Sequence, residues 1–261
     1  MNSALWVSKT GLAAQDLRMT TISNNLANVS TAGFKKDRAV FEDLFYQVQR
    51  QPGAQVDQIN QAPSGLQTGT GVRINGTEKL FTEGAFETTG NQMDVAIAGQ
   101  GFFQIESPDG DILYSRNGQF QLNAESLMVT GGGLPLLQNI AVPENTTKLS
   151  VGKDGTVTAV VANDPEPVDL GQILTVNFVN PGGLEALGGN LYRATAASGE
   201  PVEGVPGEEA LGELQQFTIE GSNVSVVDEM VSMIAVQRAY EMNAKVVSAA
   251  DEMLRFINQN V

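Results

Sequence analysis

The sequence predicts an α+β fold: long N- and C-terminal α-helices that pair as a coiled-coil-like module, with an antiparallel β-rich domain inserted between them. Three observations lead there. Apolar residues recur at sevenfold spacing only at the two ends of the 261-residue chain; the middle consists of short alternating runs broken by turn dipeptides; and neither a βαβ alternation nor a repeat of fixed period interrupts that pattern. At 41% apolar residues the chain is rich enough to build a core over this length.

The first helix is read over residues 3–29. Leu5, Leu12, Met19 and Leu26 fall seven apart, Ile22 and Val29 follow the last two by three residues, Ser3 is a suitable N-cap, and Thr31-Ala32-Gly33 ends the run. Beyond it, Tyr46 to Gly71 holds seven Gln, two Pro and four Gly. It is too polar for core and too poor in charge for a solvated tail, so it reads either as a flexible linker or as an extended hairpin. Strand grammar then takes over. Val95-Ala-Ile97 and Phe103-Gln-Ile105 lead to the turn Pro108-Asp109-Gly110; Ile112-Leu-Tyr114 leads to Asn117-Gly118, with Phe120-Gln-Leu122 after it. Leu149-Ser-Val151, the turn Asp154-Gly155 and Val157 to Val160 make a hairpin, and Ile173 to Val179 adds a strand.

The last helix, read over 226–257, repeats the terminal pattern more strongly. Val226, Met233, Tyr240, Val247 and Leu254 are spaced by seven, Val236, Ala250 and Ile257 fill the second position, and Ser225 with Asp228 makes a weak capping box. At about 1.5 Å per residue the two helices are roughly 40 and 47 Å long. The second is apolar nearly all round, because Val227, Val231, Ile234, Val246 and Phe256 lie off the main stripe; such a helix must be covered on several sides. Four of the eight Met residues sit there too, adaptable packers against neighbours of differing geometry. The expected domains are a helical assembly module of 1–35 plus 221–261, the Gln-rich segment 36–70, and the β-rich domain 71–220.

Composition removes most chemistry. There is no Cys and no His, so thiolate nucleophiles, disulfides, Fe–S clusters and the commonest general base and metal ligand are absent. The formal charge is −15, with residues 1–50 at +2 and the rest at −17, which argues against nucleic acid or anionic lipid as a ligand. No secretion signal is recognisable, and no window reaches the ~20 apolar residues of a membrane span. The carboxylate pairs Asp109/Asp111 and Glu208/Glu209 fall in a predicted turn and a Gly/Pro/Glu-rich loop, ordinary places for solvated charge. Gly131-Gly-Gly133, Gly69-Thr-Gly71 and Gly99-Gln-Gly101 lack the context of a phosphate cradle. The only Trp, Trp6, lies in the first helix rather than on a sugar-binding platform in the β-rich region. No catalytic, cofactor-binding or metal-ligating residue is assigned, and no cofactor is expected.

Three separated motifs, in order, carry a resemblance. Ile22-Ser-Asn-Asn-Leu-Ala-Asn-Val-Ser-Thr-Ala-Gly-Phe-Lys35 is similar to the N-terminal signature of the bacterial flagellar rod and hook proteins, and Val236-Gln-Arg-Ala-Tyr-Glu-Met-Asn-Ala-Lys245 to the C-terminal one. Asp94-Val-Ala-Ile-Ala-Gly-Gln-Gly-Phe-Phe103 and Tyr114-Ser-Arg-Asn-Gly-Gln-Phe120 resemble the start of the family's β-domain. The length and the run Gln51-Pro-Gly-Ala-Gln55 resemble the family's distal-rod branch. The resemblance implies a non-enzymatic subunit of the distal rod, assembling helically into a hollow shaft that transmits torque from motor to hook and serves as an export channel. It implies residence in the basal body across the periplasm and export without a cleaved signal peptide. The implied partners are further copies of the chain, proximal rod proteins, the hook protein, the surrounding P and L ring proteins and the flagellar type III export apparatus, with no nucleic acid and no membrane insertion.

On this basis the assembly interface is expected at Leu5, Leu12, Met19, Ile22 and Leu26 of the first helix and Val226, Met233, Tyr240, Val247 and Leu254 of the last. A segment cross-linking subunits is expected at Gln51, Pro52, Gly53, Gln55 and Pro63, where Gln amides can both donate and accept hydrogen bonds. The alternative from a different class is a secreted acidic β-domain that binds glycan or hydrolyses it with a carboxylate pair.

Overall fold

The computed structural model describes residues 3–51, 64–162, 164–208 and 211–259. Its contacts divide the chain into two compact units: residues 1–27, 37–78 and 225–261 form one, residues 28–36 and 79–224 the other. The architecture is the expected α+β arrangement, with a helix at each end and antiparallel sheets between.

The first unit is built on α1 (Ser3–Ala27) and α2 (Val226–Gln259), which pack along one another. Ser225 caps α2 as its sequence suggests: its carbonyl accepts the Glu229 N–H at 3.0 Å and its hydroxyl the Asp228 N–H at 3.4 Å. α1 ends two residues before the expected boundary, in a turn over 28–30, an ordinary discrepancy where a helix frays. Its last turn is fastened by Asn25, whose amide donates to Asp37 O and accepts the Asp37 N–H, both at 2.9 Å. Asp37 opens the strand Asp37–Asp43, which pairs with Val72–Lys79. Exposed ion pairs Arg73–Glu42 and Arg38–Glu78 decorate that ribbon. The neighbouring strands Tyr46–Arg50 and Leu66–Gly69 form a second antiparallel ribbon, Tyr46 opposite Gly69 and Val48 opposite Gln67.

The second unit centres on a six-stranded antiparallel sheet, in the order Glu185–Gly188, Leu191–Arg193, Ile112–Ser115, Phe102–Glu106, Thr175–Asn177 and Val202–Gly204. The strand Phe102–Glu106 is buried on both faces because side chains alternate along it. Phe103 and Ile105 are fully buried on one side, Phe103 in a core cluster with Val95, Ile97, Phe120 and Met128. Phe102 points into an aromatic cluster with Tyr114, Phe178 and Tyr192. That is why the sequence reads Phe-Phe rather than as a clean alternation. A three-stranded sheet of Thr146–Val151, Thr156–Val161 and Asp164–Gln172 adds Leu149, Val157 and Ala159 to the first core.

Two expectations shift. The strand expected over Ile173 to Val179 is shorter, Thr175–Asn177, since Ile173 N–H is taken by Gly155 O at 2.8 Å in the adjoining turn. Asn117-Gly118 does not close a hairpin between its flanking runs; Phe120–Leu122 pairs with Met128–Thr130 instead. Gly118 is there because Val95 O lies against it: a Cβ at that position would sit 1.6 Å from the oxygen, so any side chain is excluded.

Candidate assembly interface

The α1/α2 pair buries small and polar groups more deeply than the large apolar stripe. Ser8, Ala14, Thr21, Ile22 and Asn25 are buried on α1, and Val236 and Ala250 on α2 are each 1% exposed. Gly11 lies against Asn243, where a Cβ would meet the amide at 3.2 Å, so the helices approach closely at that level. Val236, Asn243 and Ala250 are themselves seven apart, which places them on one line of α2.

Of the ten stripe residues, only Ile22 is buried. Leu5, Leu12, Met19, Leu26, Met233 and Val247 are half-buried, and Val226, Tyr240 and Leu254 remain exposed. At 100° per residue, Val227, Met230, Val231 and Ile234 fall on the side of α2 opposite the Val236–Ala250 line, with Met242, Val246 and Met253 along one flank. All are exposed, Val227 by 70% and Met242 by 63%. One chain therefore carries a broad apolar surface on α2, and a patch of that kind marks an interaction site.

The root of the Gln-rich segment is a hairpin. Its strands Tyr46–Arg50 and Leu66–Gly69 are exposed at every position, and Arg50 Nη2 donates to Ser64 O at 3.3 Å beyond the last paired residue. Phe45, just before it, is 90% exposed. Gln51 is exposed at the hairpin's far end; Pro52, Gly53, Gln55 and Pro63 lie outside the described residues. A two-stranded ribbon bare on both faces has little stability alone.

The strongest electrostatic feature was missed by sequence reasoning. In the β-rich unit, Glu220 is fully buried and meets two cations: its Oε1 accepts from Lys35 Nζ at 2.6 Å and its Oε2 from Arg116 Nε at 2.9 Å. Arg116 Nη2 also donates to Glu220 Oε1 at 3.3 Å, and backbone groups take up further bonds of the cluster. Lys35 Nζ also donates to Thr82 O, Arg116 Nη1 to Gly99 O and Gly101 O, and Gly84 N–H to Glu220 Oε1. Burial alone would raise the Glu220 pKa, but Arg116, Lys35 and the hydrogen bonds together hold it below the usual glutamate value. Burial, joined by Arg116, pulls Lys35 below the usual lysine value against the charge of Glu220.

Lys35 ends the N-terminal signature and Arg116 sits inside the Tyr114–Phe120 motif, so two of the three were in view as motif residues. Gly33 in the same signature has φ +71° and abuts Asn117 N, where a Cβ would come within 2.7 Å. Neither carboxylate pair looks like chemistry. Asp109 and Asp111 are exposed on a hairpin turn, Glu208 is exposed, and Glu209 lies outside the described residues. Among the described residues no group of three or more acidic side chains could hold a metal ion, and no helix is long and apolar enough to cross a membrane.

Comparison with known proteins agrees with the terminal helices and the β-rich middle. Residues 5–35 match the flagella basal body rod protein family, 96–159 the flagellar hook protein FlgE/F/G D1 domain, and 215–260 the flagellar basal body rod FlgEFG protein C-terminal family. The chain is similar to the flagellar basal-body rod protein FlgG of Buchnera aphidicola from Acyrthosiphon pisum, 50% identical over 99% of this chain and 100% of the relative. It is 42% identical to the protein of that name in Caulobacter vibrioides, over 98% of each chain. Against the rod protein FlgF of the same organism identity falls to 32%, over 98% of this chain and 96% of the relative.

Proposed function

The chain belongs to the flagellar rod and hook protein family, and from that premise we propose how its surfaces serve a structural subunit of the distal rod in the flagellar basal body. It assembles with other rod and hook components. The observation that carries the mechanism is the apolar side of α2 opposite the Val236–Ala250 line. In a lone chain that side faces water. Stacking copies helically with α1 and α2 inward covers it, and each Val, Ile or Met side chain fully buried contributes about 1.5–3 kcal/mol. The stripe from Leu5 to Leu26 and from Val226 to Leu254 supplies both the contact within a chain and its extension to the next copy.

The β-rich unit carries 19 acidic against 7 basic side chains, a hydrated acidic face that suits water rather than a packed tube wall. The Gln-rich segment that begins at Tyr46 and includes Gln51, Pro52, Gly53, Gln55 and Pro63 lies across neighbouring copies and cross-links them. The resulting hollow shaft carries torque towards the hook and passes exported subunits through its bore. Its neighbours are proximal rod proteins on one side, the hook protein on the other, the P and L ring proteins around it, and the type III export apparatus that delivers it. The match to a rod family leaves the glycan-binding or hydrolase alternative without support. Electron microscopy of concentrated protein tests the proposal: tubes or filaments support it, and a protein that stays monomeric at every concentration overturns it.

A further inference from the structure

The chain passes between its two units four times, after residues 27, 36, 78 and 224. Inside the β-rich unit the segments beside these passages are stitched to one another. Gly33 N–H donates to Glu220 O at 2.7 Å, Lys36 N–H to Asn223 Oδ1 at 2.8 Å, and Leu80 N–H to Lys36 O at 3.0 Å. Asn223 Nδ2 reaches Leu80 O at 2.8 Å and Thr82 Oγ1 at 2.9 Å, and Gly221 N–H donates to Ala85 O at 2.7 Å. Residues 33–36, 80–85 and 220–223 thus form one small lattice, closed by Lys35 on Glu220. Arg116 then ties Glu220 to the carbonyls of Gly99 and Gly101, between the buried strands Val95–Ala98 and Phe102–Glu106.

We infer that Lys35, Glu220 and Arg116 carry mechanical force: tension arriving along the chain from the helical ends enters the β-rich unit at this lattice and is passed by Glu220 and Arg116 into its core sheet. The inference rests on the rod reading, in which the subunit works under load. The physical ground is independent of that reading. Covalent passages are the connections that no rearrangement of contacts can remove, and here they are gathered beside one buried, fully hydrogen-bonded ion cluster. Charge-assisted hydrogen bonds are the strongest non-covalent links available to such a joint, and inside a dry interior they are not weakened by salt. Phe81 adds an apolar anchor in the same segment, with its ring edge-on to Phe102 and Tyr192 at 5.3 Å from each.

The test is single-molecule force spectroscopy on the full chain, which has no natural Cys to interfere with handle attachment. One pair of handles at Ala27→Cys and Val226→Cys loads the chain through the lattice. A second pair at the exposed positions Asp109→Cys and Glu200→Cys loads the β-rich unit elsewhere. Glu220→Gln should raise the forced-unfolding rate on the order of tenfold or more along the first axis, and by clearly less along the second. If Glu220→Gln does not fold, Lys35→Met, which leaves Arg116 paired with Glu220, makes the same comparison. Equal weakening along both axes would show an ordinary stabilising ion cluster and overturn the inference. Filament formation by the unmodified chain is scored separately, so failure of the load path and failure of the rod reading give different results.

Discussion

Glu220→Gln removes one charge and leaves two buried cations facing each other. Lys35 and Glu220 side chains are 0% exposed and Arg116 is 4% exposed, so neither cation can recover its hydration without opening the core. Breaking a buried pair from one side costs about 3–5 kcal/mol, and the second stranded cation pushes the expected loss to the upper part of that range. In a body of about 150 residues each kcal/mol moves the midpoint by about 2–4 °C, so the β-rich unit should melt roughly 10–20 °C lower. The two units differ in their optical reporters. Two of the four Tyr, Tyr114 and Tyr192, are buried in the aromatic core of the β-rich unit, while the exposed Tyr46 and Tyr240 and the only Trp, Trp6 on α1, belong to the helical unit. Near-ultraviolet circular dichroism of the tyrosines and fluorescence of Trp6 can therefore be followed in one thermal scan, with the loss expected in the first signal. Replacing all three charged residues by apolar ones should not restore stability. It strands Gly84 N–H and the carbonyls of Gly99 and Gly101, each at about 1–3 kcal/mol. As a control, Glu185→Gln in the exposed pair with Arg193 should leave the scan unmoved. A Glu220→Gln protein that melts within 2–3 °C of the unmodified chain would refute this account of the cluster.

Four further outcomes are expected. Val227→Asp or Met242→Asp, both exposed in the single chain, should leave the monomer's melting unchanged but abolish filaments, because assembly would bury an unpaired carboxylate at a cost of several kcal/mol; normal filaments would show that this side of α2 is not an interface. Deleting residues 50–64 should give a curved, hook-like rod in isolated basal bodies, whereas a straight rod of unchanged stiffness rejects the cross-linking role. Acid should act through Glu220. Its folded-state pKa is held below the ordinary 4.5, so its contribution is complete above that value and is lost as pH falls through the lower folded value; denaturant titrations should show Glu220→Gln losing this part of the acid dependence. Hydrogen exchange on dilute monomer should be fast over 3–27 and 226–259 and slow in the strands between 95 and 177, and equal protection in both regions would contradict a helical module that depends on neighbours.

The helices were legible because sevenfold spacing is a local signal, and the Ser225 cap fell where composition placed it. The line most deeply buried on α2 was half visible, since Val236 and Ala250 are read from the sequence as the second heptad position while Asn243 between them is not. Val236, Asn243 and Ala250 include a polar and a small residue, and a search for large apolar side chains favours their neighbours Met233, Tyr240 and Val247. In the β-rich unit the turns at Asp109-Gly110 and Asp154-Gly155 were readable from sequence, each Gly having φ +84°. Asn117-Gly118 misled, because its Gly answers to Val95 O, more than twenty residues away, and not to a local reversal. Glu220 carried no sequence signal at all. It is one of 30 acidic residues, and its partners lie 185 and 104 positions upstream. A role set by partners that remote becomes visible only once the chain is folded.

That separation also has a consequence in time. A ribosome adding about 5–20 residues per second needs roughly 10–40 s to go from Lys35 to Glu220. Throughout that interval Lys35 and Arg116 have no counter-charge to be buried with, and the loop to be closed is long enough for the encounter to be entropically late. The β-rich unit therefore cannot complete its fold until synthesis is nearly finished, and a chain broken off anywhere before Glu220 cannot complete it at all. A chain that ends before residue 220 therefore lacks the ion cluster and the C-terminal helix alike.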